Sequence, residues 1–120
     1  MDVSGVSKNK GARIHQWDCH NGGNQRWILS YRGEQAILTA QHSKMAASIK
    51  DDSVTKGADL VQMPNTNNNN QKFYISFGKG GYKIKNSKSG KCLDVYGAGK
   101  QNGAKIIQVI LSYNFLVGLP

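Results

Sequence analysis

Few side chains in this sequence could carry chemistry. The histidines are His15, His20 and His42, and the cysteines are Cys19 and Cys92. No Gly-x-Ser-x-Gly elbow, His-Glu-x-x-His pair or phosphate-binding glycine loop accompanies them. Asp51-Asp52 is a carboxylate pair in a stretch rich in turn formers, and since adjacent residues of a strand point to opposite faces, shared acid–base work is not expected. His15, Cys19 and His20 could be read as metal ligands, but with no helix to aim them and no fourth partner they make a poor site. The sequence therefore reads as a non-enzyme that calls for no cofactor and no metal.

Sugar binding makes a different demand. It needs a carboxylate or amide to exchange hydrogen bonds with vicinal hydroxyls, and an aromatic face for the apolar side of the ring. The first part of the chain has both. Trp17 follows His15 by two positions, so the two share a strand face, while Ile14 and Gln16 point inward. Asp2 ends an earlier strand, and Asn24 and Gln25 return from the loop 18–23. Each residue also has a packing reading. Asp2 could cap a turn at a fraying end, Trp17 could be an ordinary packed aromatic, and Gln25 and Gln71 could satisfy buried backbone groups.

These residues must be positioned by a chain of 120 residues, which is one domain with a single modest core. No apolar run is long enough for a transmembrane helix, and Met1 to Lys10 is too polar for a signal peptide. Fourteen Gly and eleven Asn against two Pro describe a turn-rich chain. Sixteen Lys and Arg against seven Asp and Glu give a net charge of +9. That excess favours anionic partners or serves solubility, but with only three Arg and no nucleic-acid motif it names no specific nucleic-acid target.

A repeat organises the rest. Gly11-Ala12-Arg13-Ile14-His15-Gln16 recurs as Gly57-Ala58-Asp59-Leu60-Val61-Gln62 and as Gly103-Ala104-Lys105-Ile106-Ile107-Gln108, with a step of 46 residues each time. Asp2-Val3, Ser48-Ile49 and Asp94-Val95 share the register, as do Asn24-Gln25-Arg26-Trp27 and Asn70-Gln71-Lys72-Phe73. Short alternating runs such as Tyr82-Lys83-Ile84-Lys85, ended by Asn, Ser and Gly, predict strands, and no stretch sustains a helical period. Trp27 and Phe73 are expected in the core.

The Gln25-Arg26-Trp27 signature, the Lys91-Cys92-Leu93-Asp94-Val95 strand and the Gly-Ala-x-Ile-x-Gln strand together resemble the ricin B-chain-like β-trefoil lectins and carbohydrate-binding modules. The resemblance spans residues 1–108 and implies an all-β trefoil of three 46-residue repeats, with units about 1–32, 33–78 and 79–120 in one lectin domain. The first unit lacks its opening strand, and the third departs from the repeat after Gln108 into an apolar tail, 109–120, leaving an open sheet edge. By resemblance the sugar pocket comprises Asp2, Trp17, Asn24 and Gln25, with His15 as a further polar contact. Asn70 and Gln71 mark a weaker second site, where Ser48 replaces the carboxylate and Val61 and Met63 replace the His15–Trp17 pair. Asp94 is the remnant of a third, beside Ile107 and Val109. The family's usual disulfide phases leave Cys19 and Cys92 without partners, implying free thiols or one adventitious bond. The resemblance further implies glycan or polysaccharide partners, galactose- or xylan-type, an enzyme or toxin domain in a longer parent, secretion, and no membrane insertion. A protein- or anion-binding module with a vestigial sugar site, or a non-functional lectin fragment, are the alternatives.

Overall fold

The computed structural model describes residues 1–78 and 81–110. Among them the strands run β1 (Asp2–Val3), β2 (Ile14–His15), β3 (Trp27–Arg32), β4 (Gln35–Ala40), β5 (Ala46–Ile49), β6 (Leu60–Met63), β7 (Phe73–Gly78), β8 (Gly81–Asn86), β9 (Cys92–Val95) and β10 (Ile106–Val109). All pairings between them are antiparallel: β1 with β2, β3 with β4, β5 with β6, β7 with β8 and β9 with β10, while β4 joins β7. The step of 46 is written into the strands, since β3, β4, β5 and β6 begin 46 residues before β7, β8, β9 and β10. This is the all-β trefoil arrangement that the repeat implied.

Alternation explains the core. Along β4, Ala36, Leu38 and Ala40 are buried while the residues between them are partly exposed, as expected for a sheet with one covered face. The core gathers the same phases from successive units: Ile14, Leu60 and Ile106; Trp27 and Phe73; Leu38 and Ile84. Trp27 and Phe73 are thus core residues, and the Trp27 indole N–H donates to the Met1 carbonyl at 3.1 Å.

Gln16 behaves differently from its expected inward position. Ile14 is buried in the core, but the Gln16 amide leaves its own unit and donates to the carbonyls of Gly99 and Gln101 at 2.7 and 2.8 Å. Gln62 does the same to Ser7 and Asn9 at 2.9 and 2.8 Å, and Gln108 to Ser53 and Thr55 at 3.2 and 2.9 Å. The held loops step by 46, as do the glutamines. Backbone bonds reinforce each clasp, with Gly11, Gly57 and Gly103 donating to the carbonyls of Gln62, Gln108 and Gln16. These glycines have φ of +83°, +90° and +87°, a left-handed conformation that a side chain would strain.

Asp51-Asp52 is not in a strand. Lys50–Asp52 forms a single turn of 3-10 helix in which both aspartates have positive φ, at the phase occupied by Gly5-Val6 and Gly97-Ala98. Asp52 pairs with Lys88 of the next unit. The expectation of an open edge has a counterpart at β3, which pairs with β4 alone among the described residues. Val109 still closes β10 opposite Cys92, so the strand continues into the first residue of the aberrant tail. Residues 111–120 of that tail lie outside the described residues. Cys19 is exposed, Cys92 is buried, and both are free.

Two substitutions separate packing from clasping. Trp27→Ala should lower stability by roughly 3–5 kcal/mol through lost core volume. Gln108→Ala should cost about 1–2 kcal/mol, because it removes two part-buried hydrogen bonds to loop carbonyls of another unit. Urea denaturation monitored by circular dichroism would measure both, and an unchanged Gln108→Ala midpoint would show that the clasp does not hold the fold.

Candidate functional site

The first unit brings its predicted residues together around one carboxylate. Asp2 opens β1 opposite His15 on β2, a register set by the two-residue pairing of these strands. It is buried rather than frayed, with only 4% of its surface exposed. His15 Nε2 lies 2.7 Å from Asp2 Oδ1. Asn24 Nδ2 donates to Asp2 Oδ2 at 3.1 Å and to the Val3 carbonyl at 3.1 Å. Gln25 Nε2 donates to Asp2 Oδ2 at 2.8 Å and to the Asp18 carbonyl at 2.8 Å. The turn Gly23–Gln25 supplies both amides just before β3 begins at the buried Trp27, so the anchoring of Trp27 also sets their position.

A buried carboxylate is costly unless its lone pairs are matched. Here Oδ2 accepts two amide bonds and Oδ1 is engaged only by His15. An ionised carboxylate offers about four acceptor positions, so one on Oδ1 stays available to a hydroxyl. Burial pushes the pKa of the Met1 α-ammonium group below its usual value, with Asp2 and then Cys19 opposing the shift electrostatically.

Trp17 forms the wall. It is 47% exposed, and its ring stacks on His15 with centroids 5.4 Å apart and planes 23° apart. The ordinary packed-aromatic reading does not describe a ring with that much face in solvent. His15, in turn, is largely buried, stacks on Trp17 and braces Asp2. The cavity here, of about 330 Å³, is lined by Asp2, His15, Trp17, His20 and Asn24 together with Ser4 and the Gly5-Val6 turn.

Sequence reasoning missed two contributors. His20 was weighed only as a metal ligand, yet its Nε2 stands 3.5 Å from Asp2 Oδ2 and its backbone N–H donates to Gln25 Oε1 at 2.8 Å. Among the described residues no three His, Cys, Asp or Glu side chains cluster as a metal site. Gly22 was passed over as a loop glycine. A Cβ there would lie 2.7–2.8 Å from the His20 ring and from Asn24 Oδ1, so any larger residue would have to displace these side chains. The signal for both was the short Gly-Gly loop that must return from Trp17 to Asn24.

The second unit keeps the scaffold without the charge. Gln71 Nε2 donates to Ser48 Oγ at 2.9 Å and to the Pro64 carbonyl at 2.8 Å, while its Oε1 accepts from the Thr66 backbone at 2.9 Å. Asn70 Nδ2 reaches the Ile49 carbonyl at 3.4 Å, as Asn24 reaches Val3. The amides therefore do satisfy backbone groups, in both units, and in the first they also bind the carboxylate. In the third unit Asp94 Oδ1 is buried with no partner among the described residues, and the positions in phase with Asn24 and Gln25 lie outside them.

Residues 32–109 match the family described as ricin-type beta-trefoil lectin domain-like. A comparison with curated proteins gave no match. Among solved structures, the designed three-fold symmetric protein ThreeFoil is 33% identical, with a TM-score of 0.90 over 94% of this chain and 82% of that one. The exo-beta-1,3-galactanase 1,3Gal43A from Clostridium thermocellum is 30% identical, with a TM-score of 0.84 over 89% of this chain, which spans only 24% of the enzyme. The Rhizoctonia solani agglutinin, at 19% identity and a TM-score of 0.79 over 89% of this chain and 74% of that one, shares the fold.

Gly22→Ala tests the loop closure. Its backbone, at φ −68° and ψ 160°, is one that alanine adopts freely, so any loss comes from crowding. We expect about 1–2 kcal/mol of destabilisation, together with shifted His20 ring resonances in an NMR spectrum. Unshifted His20 resonances would mean that the ring does not sit over Gly22.

Proposed function

The chain belongs to the ricin-type β-trefoil lectin domain-like family, and from that premise we propose that it binds carbohydrate without catalysis, at a site in the first unit. The observation that carries this reading is the convergence of His15, Asn24 and Gln25 on the buried Asp2 carboxylate beside the exposed Trp17 ring. The carboxylate is held with acceptor capacity toward the cavity, and the indole offers the apolar face against which a pyranose stacks. A galactose- or xylan-type sugar suits this pairing, and the likeness to a galactanase supports the galactose side of that choice.

The second unit, with Ser48 and Met63 in place of Asp2 and Trp17, is a weak site, and the third, with Asp94 beside Ile107 and Val109, is a remnant. A single site of this size binds in the range of about mM to tens of μM. Useful retention then comes from a longer secreted parent that carries an enzyme or toxin domain, or from several modules acting together.

Titration calorimetry with galactose and xylo-oligosaccharides tests the assignment. Trp17→Ala should abolish measurable binding while leaving the denaturation midpoint nearly unchanged, because the ring is largely solvent-facing. Unchanged affinity would sink the site. Asp2→Asn should weaken binding at least roughly tenfold, in line with loss of a charge-assisted hydrogen bond, whereas Asp94→Asn should leave it intact. Equal losses would make the third unit a working site. Binding should also persist across a salt series; a steep loss with salt would instead assign recognition to the lysine-rich surface.

A further inference from the structure

The first unit's site is braced by a residue of the third unit, Asn102. The Asp18 backbone N–H donates to Asn102 Oδ1 at 2.8 Å, and Asn102 Nδ2 returns a bond to Asp18 Oδ2 at 3.0 Å. Asp18 is the node of the site loop. It directly follows Trp17, and its carbonyl accepts from the same Gln25 amide that binds Asp2. The Trp17 ring edge also lies over the adjacent Gly103, where an added Cβ would come within 3.9 Å. A chain of bonds thus runs from Asn102 through Asp18 and Gln25 to the buried carboxylate.

The repeat supplies an internal control. The glutamine clasps occur at all three junctions, so they are part of the scaffold. The Asp18–Asn102 pair does not recur. The position of Asp18 is taken by Pro64 in the second unit and Ile110 in the third, and the loop position of Asn102 by Lys10 and Lys56. Neither a proline nor an isoleucine side chain can receive a hydrogen bond, and proline has no backbone N–H to give. The reciprocal pair appears only at the junction beside the unit that retains both the carboxylate and the indole. We propose that Asn102 is a positioning residue for the first unit's binding site, fixing the Trp17-Asp18 loop from across the unit boundary. This rests on the reading of that site as a sugar site.

The pair is exposed, so its worth lies in ordering the loop rather than in global stability. Asn102→Ala should weaken galactoside or xylo-oligosaccharide binding by roughly three- to tenfold, the scale of one or two partly solvated hydrogen bonds, with little change in the denaturation midpoint. Asn102→Asp should weaken it further, by setting two carboxylates face to face. Adding Asp18→Asn to Asn102→Asp exchanges amide and carboxylate, restores both bonds and should restore affinity. Fluorine NMR of 5-fluorotryptophan-labelled protein, with the Trp17 signal assigned by Trp17→Phe, reads the loop without any sugar. The Trp17 line should move or broaden in Asn102→Ala and return in the exchanged double variant. If the wild-type chain binds no sugar while the Trp17 signal behaves this way, the functional reading fails and the positioning stands. If the signal and the affinity of Asn102→Ala match wild type, or the double variant restores neither, the positioning role is overturned.

Discussion

Closure of the three units depends on three buried or half-buried amides, those of Gln16, Gln62 and Gln108. A hairpin such as β1–β2 or β9–β10 cannot bury an apolar face alone, so each unit must lean on the others. The contacts among Ile14, Leu60 and Ile106 supply the drive, but hydrophobic burial is non-directional and would accept several rotations of one unit against the next. The glutamines remove that freedom. Each spends its N–H groups on two loop carbonyls of a different unit: the first holds the third, the second holds the first, and the third holds the second. The ring closes because each unit both holds and is held, through part-buried amide bonds that fix one loop of every unit against its neighbour.

The cluster around Asp2, which we propose as the sugar site, hangs from this ring. Gln16 pins the chain one residue before Trp17, and the backbone bond from Gln16 to Ala104 sets the entry of the site loop on the third unit. On the other side, Trp27 locks the strand that follows Asn24 and Gln25. Between these two anchors the loop has few ways to return, and Gly22 takes the one that lets Asn24 pass beneath His20. The carboxylate of Asp2 is then neutralised in hydrogen bonds by groups that the fold has already placed. Its burial is offset locally, by two amides and an imidazole, and needs no distant ion pair.

How much of this was legible in the sequence follows from range. The step of 46 fixes which residues of different units share a phase, while the resemblance to the ricin-type lectins is what grouped Asp2, Trp17, Asn24 and Gln25 and placed Trp27 and Phe73 in the core. Strand alternation put Ile14 inside correctly, but it put Gln16 there too, because period two says which face a side chain leaves from and nothing about which neighbour it meets. Its partners Gly99 and Gln101 lie more than eighty residues away. Turn formers around Asp51-Asp52 point to a turn in the sequence, but not to its conformation. Its two left-handed residues are obvious only beside Gly5 and Gly97 in the same phase, where glycine makes the requirement visible. For His15 the sequence suggested a polar contact of the ligand; that its imidazole also supports the Asp2 carboxylate depends on the β1–β2 register.

The same geometry explains how the first unit can hold a carboxylate where the second holds a serine. Gln71 makes the bonds in the second unit that Gln25 makes in the first, with the Ser48 hydroxyl in place of Asp2 and Thr66 in place of His20. A serine satisfies the amide as well as a carboxylate does, and it avoids the desolvation of a charge. Replacing the carboxylate therefore costs the scaffold little, and the clasp at Gln62 holds whether or not a ligand site survives beside it. Retaining Asp2 is the more demanding choice. It requires His15 beneath, Asn24 and Gln25 alongside, and a loop in the one path that brings them together. Those requirements are met together in the first unit, where Trp17 also stands exposed. The scaffold and the carboxylate are thus separable: the glutamine ring ties all three units, whereas Asp2 is held by two amides and an imidazole and Asp94, at the same phase, has its Oδ1 buried with no partner among the described residues.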